Sequence, residues 1–139
     1  MTPLLIEAHR GDSANAPENT LAAFERALRL GVASIELDVH PARDGTLMVI
    51  HDETVDRTTN ASGAVHDMTV EELLRLDAGA RFGPAFAGER IPLLREVLGM
   101  VVPTPALLNV EIKSSPAGAN VPETVARLLR RFGKQREYI

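Results

Sequence analysis

Glu36 and Asp38 stand two residues apart in the run SIELDVHP, with Ile35, Leu37 and Val39 at the alternate positions. A β-strand repeats every second residue, so this spacing sets both carboxylates on one face, about 6–7 Å apart along the chain. A second run of the same kind, ALLNVEIK, carries Glu111 and, two residues later, Lys113. Carboxylate oxygens suit a hard cation, Mg²⁺ or Ca²⁺, with water and substrate completing the shell. The plain alternative is a row of acids on a solvated strand surface. Against it, apolar strands of an α/β fold are generally covered on both faces, and two strands here repeat one pattern.

Around the acids stand groups suited to a bound anion. His9 and His51 form a natural acid–base pair, because imidazole titrates near neutrality and can give or take a proton. Arg10 and Lys113 are cations at strand ends. They can balance the acids, or hold a phosphate, Arg through paired N–H groups and Lys as a point charge. Two histidines, three acids and two cations together describe metal-assisted phosphoester chemistry. A zinc hydrolase with His9 and His51 as ligands is the competing metal reading, but no His-x-His or His-Glu-x-x-His spacing supports it. His40 and His66 read as structural.

These residues need strands to carry them. Asp44-Gly45 between two β-type runs is a strong hairpin signal. If Arg43 pairs with Thr46 across that turn, the register sets His51 directly opposite Asp38. Residues 4–6 read as a buried strand that delivers His9 and Arg10. Asn19 or Thr20 then caps a helix bearing Leu21, Phe24, Ala27 and Leu28, with Gly31 closing it. Thr69 and Glu72 form a capping box before a short helix through Leu73, Leu74 and Leu76. Residues 77–90, rich in Gly and Ala, form a long excursion of the kind that makes a lid or an inserted subdomain.

Further on, Pro92 lies near the start of a helix through Leu94, Val97 and Leu98. Residues 106–112 read as another buried strand. Pro122 opens a helix with Val125, Leu128, Leu129 and Phe132 on one face, closed by Gly133, and residues 136–139 read as a strand beginning. Strands alternating with helices imply a parallel sheet. His9, Asp38 and Glu111 fall near the carboxyl ends of their strands, where sites gather in (β/α) barrels and open α/β sheets.

The chain of 139 residues suffices for one modest domain. A net charge of −4 without a long basic run excludes a nucleic-acid surface. The absence of Cys excludes disulfides and thiolate metal sites. No leader and no apolar run of membrane-spanning length are evident, so a cytoplasmic protein without a membrane anchor is expected.

The order of short motifs is more specific than any one of them. His9-Arg10-Gly11, Glu18-Asn19-Thr20, Glu36-Leu37-Asp38, His51-Asp52 followed by Arg57-Thr58-Thr59, and Glu111-Ile112-Lys113 together resemble the glycerophosphodiester phosphodiesterase family from about residue 5 onward. The resemblance implies an α/β fold, a TIM (β/α)8 barrel of the phospholipase C-like phosphodiesterase type. Residues 1–139 would be its N-terminal part of three to four strands, with a family-specific insertion at about 52–90 after the second strand. It implies hydrolysis of a glycerophosphodiester to glycerol 3-phosphate and an alcohol. Glu36, Asp38 and Glu111 would then hold one divalent cation, Mg²⁺ or Ca²⁺; Arg10 and Lys113 would bind the phosphate; His9 and His51 would be the acid–base pair. In that chemistry a glycerol hydroxyl attacks phosphorus, the alcohol leaves with a proton from one His, and water opens the cyclic product.

Two other classes keep the same residues. One is a truncated relative that binds metal or phosphate without turnover. The other is a phospholipase D-like barrel cousin acting on lysophospholipids, for which the sequence offers no amphipathic or aromatic membrane stretch. A complete barrel needs eight strands and about 250 residues. An open part of one exposes apolar faces and a bare edge, which the rest of a longer protein or a second copy would cover.

Overall fold

The computed structural model describes residues 4–114 and 120–133; the strand expected at 136–139 lies outside them. The elements run β1 (Glu7–His9), α1 (Leu21–Arg29), β2 (Ser34–Pro41), β3 (Leu47–Val49), α2 (Val70–Leu74), α3 (Leu94–Val101), β4 (Leu107–Ile112) and α4 (Val121–Phe132), with short 3₁₀ turns at Val65–Asp67 and Pro84–Phe86. β2 is the centre of a four-stranded sheet. It pairs in parallel with β1, from Glu7↔Ser34 to His9↔Glu36, and with β4, from Ser34↔Leu107 to Val39↔Ile112. β3 pairs with it antiparallel.

Alternating carbonyls of β2 show which edge each partner takes. The oxygens of Glu36 and Asp38 accept from Arg10 and Ile50, so β1 and β3 follow one another on one edge. The carbonyl of Ala33, just before β2, and that of Val39 accept from Leu107 and Lys113, so β4 holds the other. Every residue of β2 is buried. Ile35, Leu37 and Val39 face the main core with Phe24, Leu94, Val97, Leu98 and Leu108. Each such side chain contributes about 1.5–3 kcal/mol by leaving water. The opposite face of β2 carries Ser34, Glu36, Asp38 and His40, also buried. A buried polar face on the central strand is what the two-residue spacing of the acids produces once both edges are paired.

The helices begin and end where the sequence signals them. Thr20 caps α1, its Oγ1 accepting the Ala23 N–H, and Gly31 follows the end of the helix. Thr69 and Glu72 make the reciprocal capping box of α2. Gly133 closes α4. The stretch from 52 to 90 has little regular structure, yet it has its own core. Val55, Val65, Leu73 and Ala78 pack with Ala42, Met48, Ile50, Ile91 and Leu93 of the hairpin and the α3 approach. Asp77 organises the excursion without periodicity, its carboxylate accepting the N–H groups of Gly79, Ala80 and Gly88 at 2.8–2.9 Å.

Two local expectations are corrected. The strand expected at residues 4–6 starts at Glu7, and Leu4, Leu5 and Ile6 are 92%, 59% and 64% exposed. An apolar run marks burial only where something lies against it, and β1 has only β2 beside it among the described residues. The hairpin turn is longer than a two-residue one. Ala42 and Thr46 close a loop of Arg43, Asp44 and Gly45, with Gly45 at φ 83°, and β2 pairs His40 with Met48. This register faces Asp38 with Ile50, not His51. A slip of one residue turns every following side chain over, so His51 reaches the polar face only because β3 ends at Val49 and the chain bends. Among the described residues no helix is long and apolar enough to cross a membrane.

Candidate active site

The sheet register assembles the acids. Asp38 pairs with Glu111 across β2 and β4, and Glu36 lies two residues before Asp38 on the same face. Glu36, Asp38 and Glu111 each present a carboxylate oxygen within 4.8 Å of the other two. Glu36 and Asp38 are buried and Glu111 is exposed. Glu36 Oε1 is buried without a hydrogen-bond partner, while buried Asp38 Oδ1 has the Lys113 ammonium 3.0 Å away. A carboxylate oxygen left without a partner carries a large desolvation cost, which a hard cation at the shared point offsets. The donor set is all oxygen, so the residues present fit Mg²⁺ or Ca²⁺ and give no support to a zinc site built on histidine.

The two cations stand against Asp38. Arg10 Nε lies 3.2 Å from Asp38 Oδ2, in ion-pair range but without hydrogen-bond alignment. Lys113 Nζ lies 3.0 Å from Asp38 Oδ1 and also contacts Glu111 Oε1. Arg10 sits at φ 59°, a left-handed conformation uncommon outside glycine. There its backbone N–H meets both the Glu36 carbonyl and Glu36 Oε2, at 3.1 and 3.0 Å. Asn19, the other non-glycine residue with positive φ among the described residues, donates Nδ2 to Asp38 Oδ2 at 2.9 Å.

These contacts set the acids apart electrostatically. Burial, and then the neighbouring Asp38, push Glu36 above the usual glutamate range. Burial alone would raise Asp38 too, but the Asn19 amide and the Lys113 ammonium outweigh it and hold it below. Burial alone would lower Lys113, and the Glu111 and Asp38 carboxylates reverse that. The site thus holds one carboxylate that stays ionised and another that resists ionising until a positive charge arrives.

His9, with a mostly exposed ring, lies 3.8 Å from Glu36 Oε2 through its Nε2. His51 lies 2.6 Å from Asp52 Oδ1 through Nδ1. His51 lines an open cleft of about 450 Å³ with His40, Asp52, Glu53, Thr54, Lys113 and Ser114. All seven residues singled out in the sequence therefore gather around the polar face of β2, beside the carboxyl ends of β1 and β4. Glu18, Asp52 and Arg57 belong to the same site without having been assigned a task, their only sequence signal being membership of the ordered motifs. Asn19, offered with Thr20 as a helix cap, serves Asp38 instead, and Thr20 is the cap. His40, read as structural, is buried, and its Nε2 lies 2.9 Å from the His51 carbonyl oxygen.

Known proteins resemble this chain in sequence and in fold. A protein of Caldanaerobacter subterraneus subsp. tengcongensis, named glycerophosphodiester phosphodiesterase, is 61% identical over 110 residues, covering 79% of this chain and 45% of that one. The crystal structure of a glycerophosphodiester phosphodiesterase from Agrobacterium tumefaciens matches with a TM-score of 0.90 at 42% identity, over 98% of this chain and 56% of that chain. A phosphodiesterase from Oleispira antarctica, in complex with the product sn-glycerol-3-phosphate, matches with a TM-score of 0.88 at 31% identity, over 96% and 54%. The chain spans about half the length of these relatives. Residues 9–136 match the Glycerophosphoryl diester phosphodiesterase family, to which this chain belongs.

Proposed function

We propose that this chain is the N-terminal part of a (β/α)8 barrel that hydrolyses glycerophosphodiesters to glycerol 3-phosphate and an alcohol. β1, β2 and β4 are its first three barrel strands, and residues 52–90 are an insertion after the second. The observation that carries the reading is the trio Glu36, Asp38 and Glu111. Their oxygens converge within 4.8 Å, Glu36 keeps a buried oxygen unpartnered, and His9, Arg10, His51 and Lys113 surround them.

Glu36, Asp38 and Glu111 would hold a divalent cation, Mg²⁺ or Ca²⁺, which when bound would supply positive charge to the phosphate and its attacking hydroxyl. Arg10 and Lys113 bind and orient the phosphate from the flank of Asp38. Asn19 keeps Asp38 in place, and β2 keeps Glu36 two residues away. One of His9 and His51 takes the proton of an attacking glycerol hydroxyl, and the other gives a proton to the departing alcohol. Water then opens the cyclic phosphodiester to glycerol 3-phosphate, giving its proton to the second histidine while the first protonates the ring oxygen that leaves phosphorus. The Oleispira antarctica neighbour, bound to sn-glycerol-3-phosphate, supports glycerol 3-phosphate as the product.

The test is release of glycerol 3-phosphate from glycerophosphocholine by this chain with Mg²⁺, with Ca²⁺ and with chelator, beside His9→Ala. Metal-dependent release that disappears in the variant supports the reading. A folded chain that binds the cation and turns nothing over sinks it for these residues alone, and leaves a metal- and phosphate-binding module.

A further inference from the structure

Asp52 and Arg57 have no part in the chemistry above, yet they hold His51 closely. Asp52 Oδ1 lies 2.6 Å from His51 Nδ1. The Arg57 guanidinium clamps that carboxylate from the other side, Nε to Oδ2 at 2.8 Å and Nη2 to Oδ1 at 3.0 Å. The same guanidinium reaches Glu18, Nη1 to Oε2 and Nη2 to Oε1, both at 2.8 Å. Glu18 also accepts from Arg10 Nη1 at 3.3 Å. Arg57 therefore ties the segment after β3 to the loop between β1 and α1, and both loops carry residues of the site.

The paired donors of Arg57 hold Asp52 far below the usual carboxylate range, with His51 adding to the effect. An ionised carboxylate only accepts hydrogen bonds, so the proton between Asp52 and His51 belongs to Nδ1. The ring is then left with Nε2 as its exchanging nitrogen. A second contact fixes the backbone under it. The His51 carbonyl is 2.9 Å from His40 Nε2, and a carbonyl requires that nitrogen to donate.

We propose that Asp52 and Arg57 are positioning residues for His51: the Arg57 fork fixes the Asp52 carboxylate, and Asp52 fixes the imidazole with its proton on Nδ1, leaving Nε2 alone to exchange a proton with substrate. The inference rests on the reading of His51 as one of the acid–base pair. A purely structural ion pair predicts something different. Arg57 is 49% exposed, so solvent screens its ion pairs. Losing the clamp should therefore change the state of His51 much more than it changes folding.

The test is the ring nitrogen spectrum of ¹⁵N-histidine-labelled chain, with His51 assigned through His51→Gln, in wild type, Asp52→Asn and Arg57→Gln. Neutral wild-type His51 is expected to carry its proton on Nδ1. In Asp52→Asn, Arg57 retains the amide oxygen and the NH₂ group turns to His51, so the proton moves to Nε2. In Arg57→Gln the two forms mix, with Tm near that of wild type. Where the chain releases glycerol 3-phosphate, Asp52→Asn lowers kcat by about 10²-fold or more with KM within about twofold. A wild-type proton on Nε2 overturns the proposal, and that reading needs no variant to fold. Unchanged nitrogen shifts in a folded Asp52→Asn chain, or unchanged kcat, overturn it as well. An inactive chain that shows the expected proton shift keeps the positioning role and removes the proposed function instead.

Discussion

Asn19 and Asp38 are joined twice: Asn19 Nδ2 donates to Asp38 Oδ2 at 2.9 Å, and the Asp38 backbone N–H points to Asn19 Oδ1 at 3.4 Å. Both residues are buried, and Asn19 makes the contact from a left-handed backbone, φ 56°. Asn is among the few side chains that accept that conformation. The pair links the loop before α1 to the central strand at the point where the acids converge.

Asn19→Ala should cost about 1.5–3 kcal/mol at neutral pH, the range for losing a hydrogen bond to a buried charge. Asp38 titrates below its usual value, so its favourable contribution is full above the unfolded aspartate range near ~3.8 and is lost as pH falls through the folded value. The cost of Asn19→Ala should therefore shrink in acid. Urea titrations of both chains across that range check this. A cost that stays constant with pH would assign the effect to backbone strain and not to Asp38.

Glu36→Gln should act in opposite directions with and without metal. Burial and Asp38 raise Glu36, so its ionised form costs stability, and that cost appears as pH rises through the carboxylate range. Without metal the variant should gain stability on the order of 1 kcal/mol. With Mg²⁺ or Ca²⁺ the wild type should gain Tm and the variant should not, because ligand binding to the native state stabilises by mass action. The wild-type gain should fade on acidification, as Glu36 takes up its proton. Thermal melts in cation and in chelator decide it, and equal cation shifts in both chains would remove Glu36 from the ligand set.

Gly11→Ala should be among the most damaging single-methyl changes in the chain. A Cβ there would stand 2.7 Å from the Ala23 carbonyl carbon and 2.8 Å from its Cβ, at φ 80°. Strain at that φ and overpacking against the α1 backbone together predict a loss of about 2–4 kcal/mol. Gly45→Ala is the control, at φ 83° with nothing within 4 Å, where only the backbone strain of about 1–2 kcal/mol applies. Comparable Tm losses in the two variants would contradict the close approach of the His9-Arg10-Gly11 turn to α1.

Leu5 and Ile6, 59% and 64% exposed, form an apolar flank beside β1, whose outer edge is unpaired among the described residues. A polypeptide limited to these 139 residues should self-associate through that flank. Replacing Leu5 and Ile6 with Lys should return it to monomer without lowering Tm, because neither side chain is in the core. Light scattering after gel filtration reads the outcome. A wild-type monomer with a sharp melt would show that the flank needs no cover, neither from the remaining strands of a barrel nor from a second copy.

The chain determined by itself whatever depends on short spacing. The two-residue interval placed Glu36 with Asp38, the cap candidates Asn19 and Thr20 and the capping box at Thr69 fixed helix starts to within a residue, and the ordered motifs named the family. Spacing is legible because backbone geometry repeats locally and identically wherever a strand or helix forms. Pairing is different, since it compares distant segments. Only the tertiary structure decided that Asp38 faces Ile50, that His51 reaches the site by a bend after β3, and that residues 4–6 lie outside the core. The same holds for Arg57, which meets Glu18 across 39 positions of sequence. Those outcomes turn on one residue of loop length at Gly45 and on which surface lies next to which. No periodicity records either.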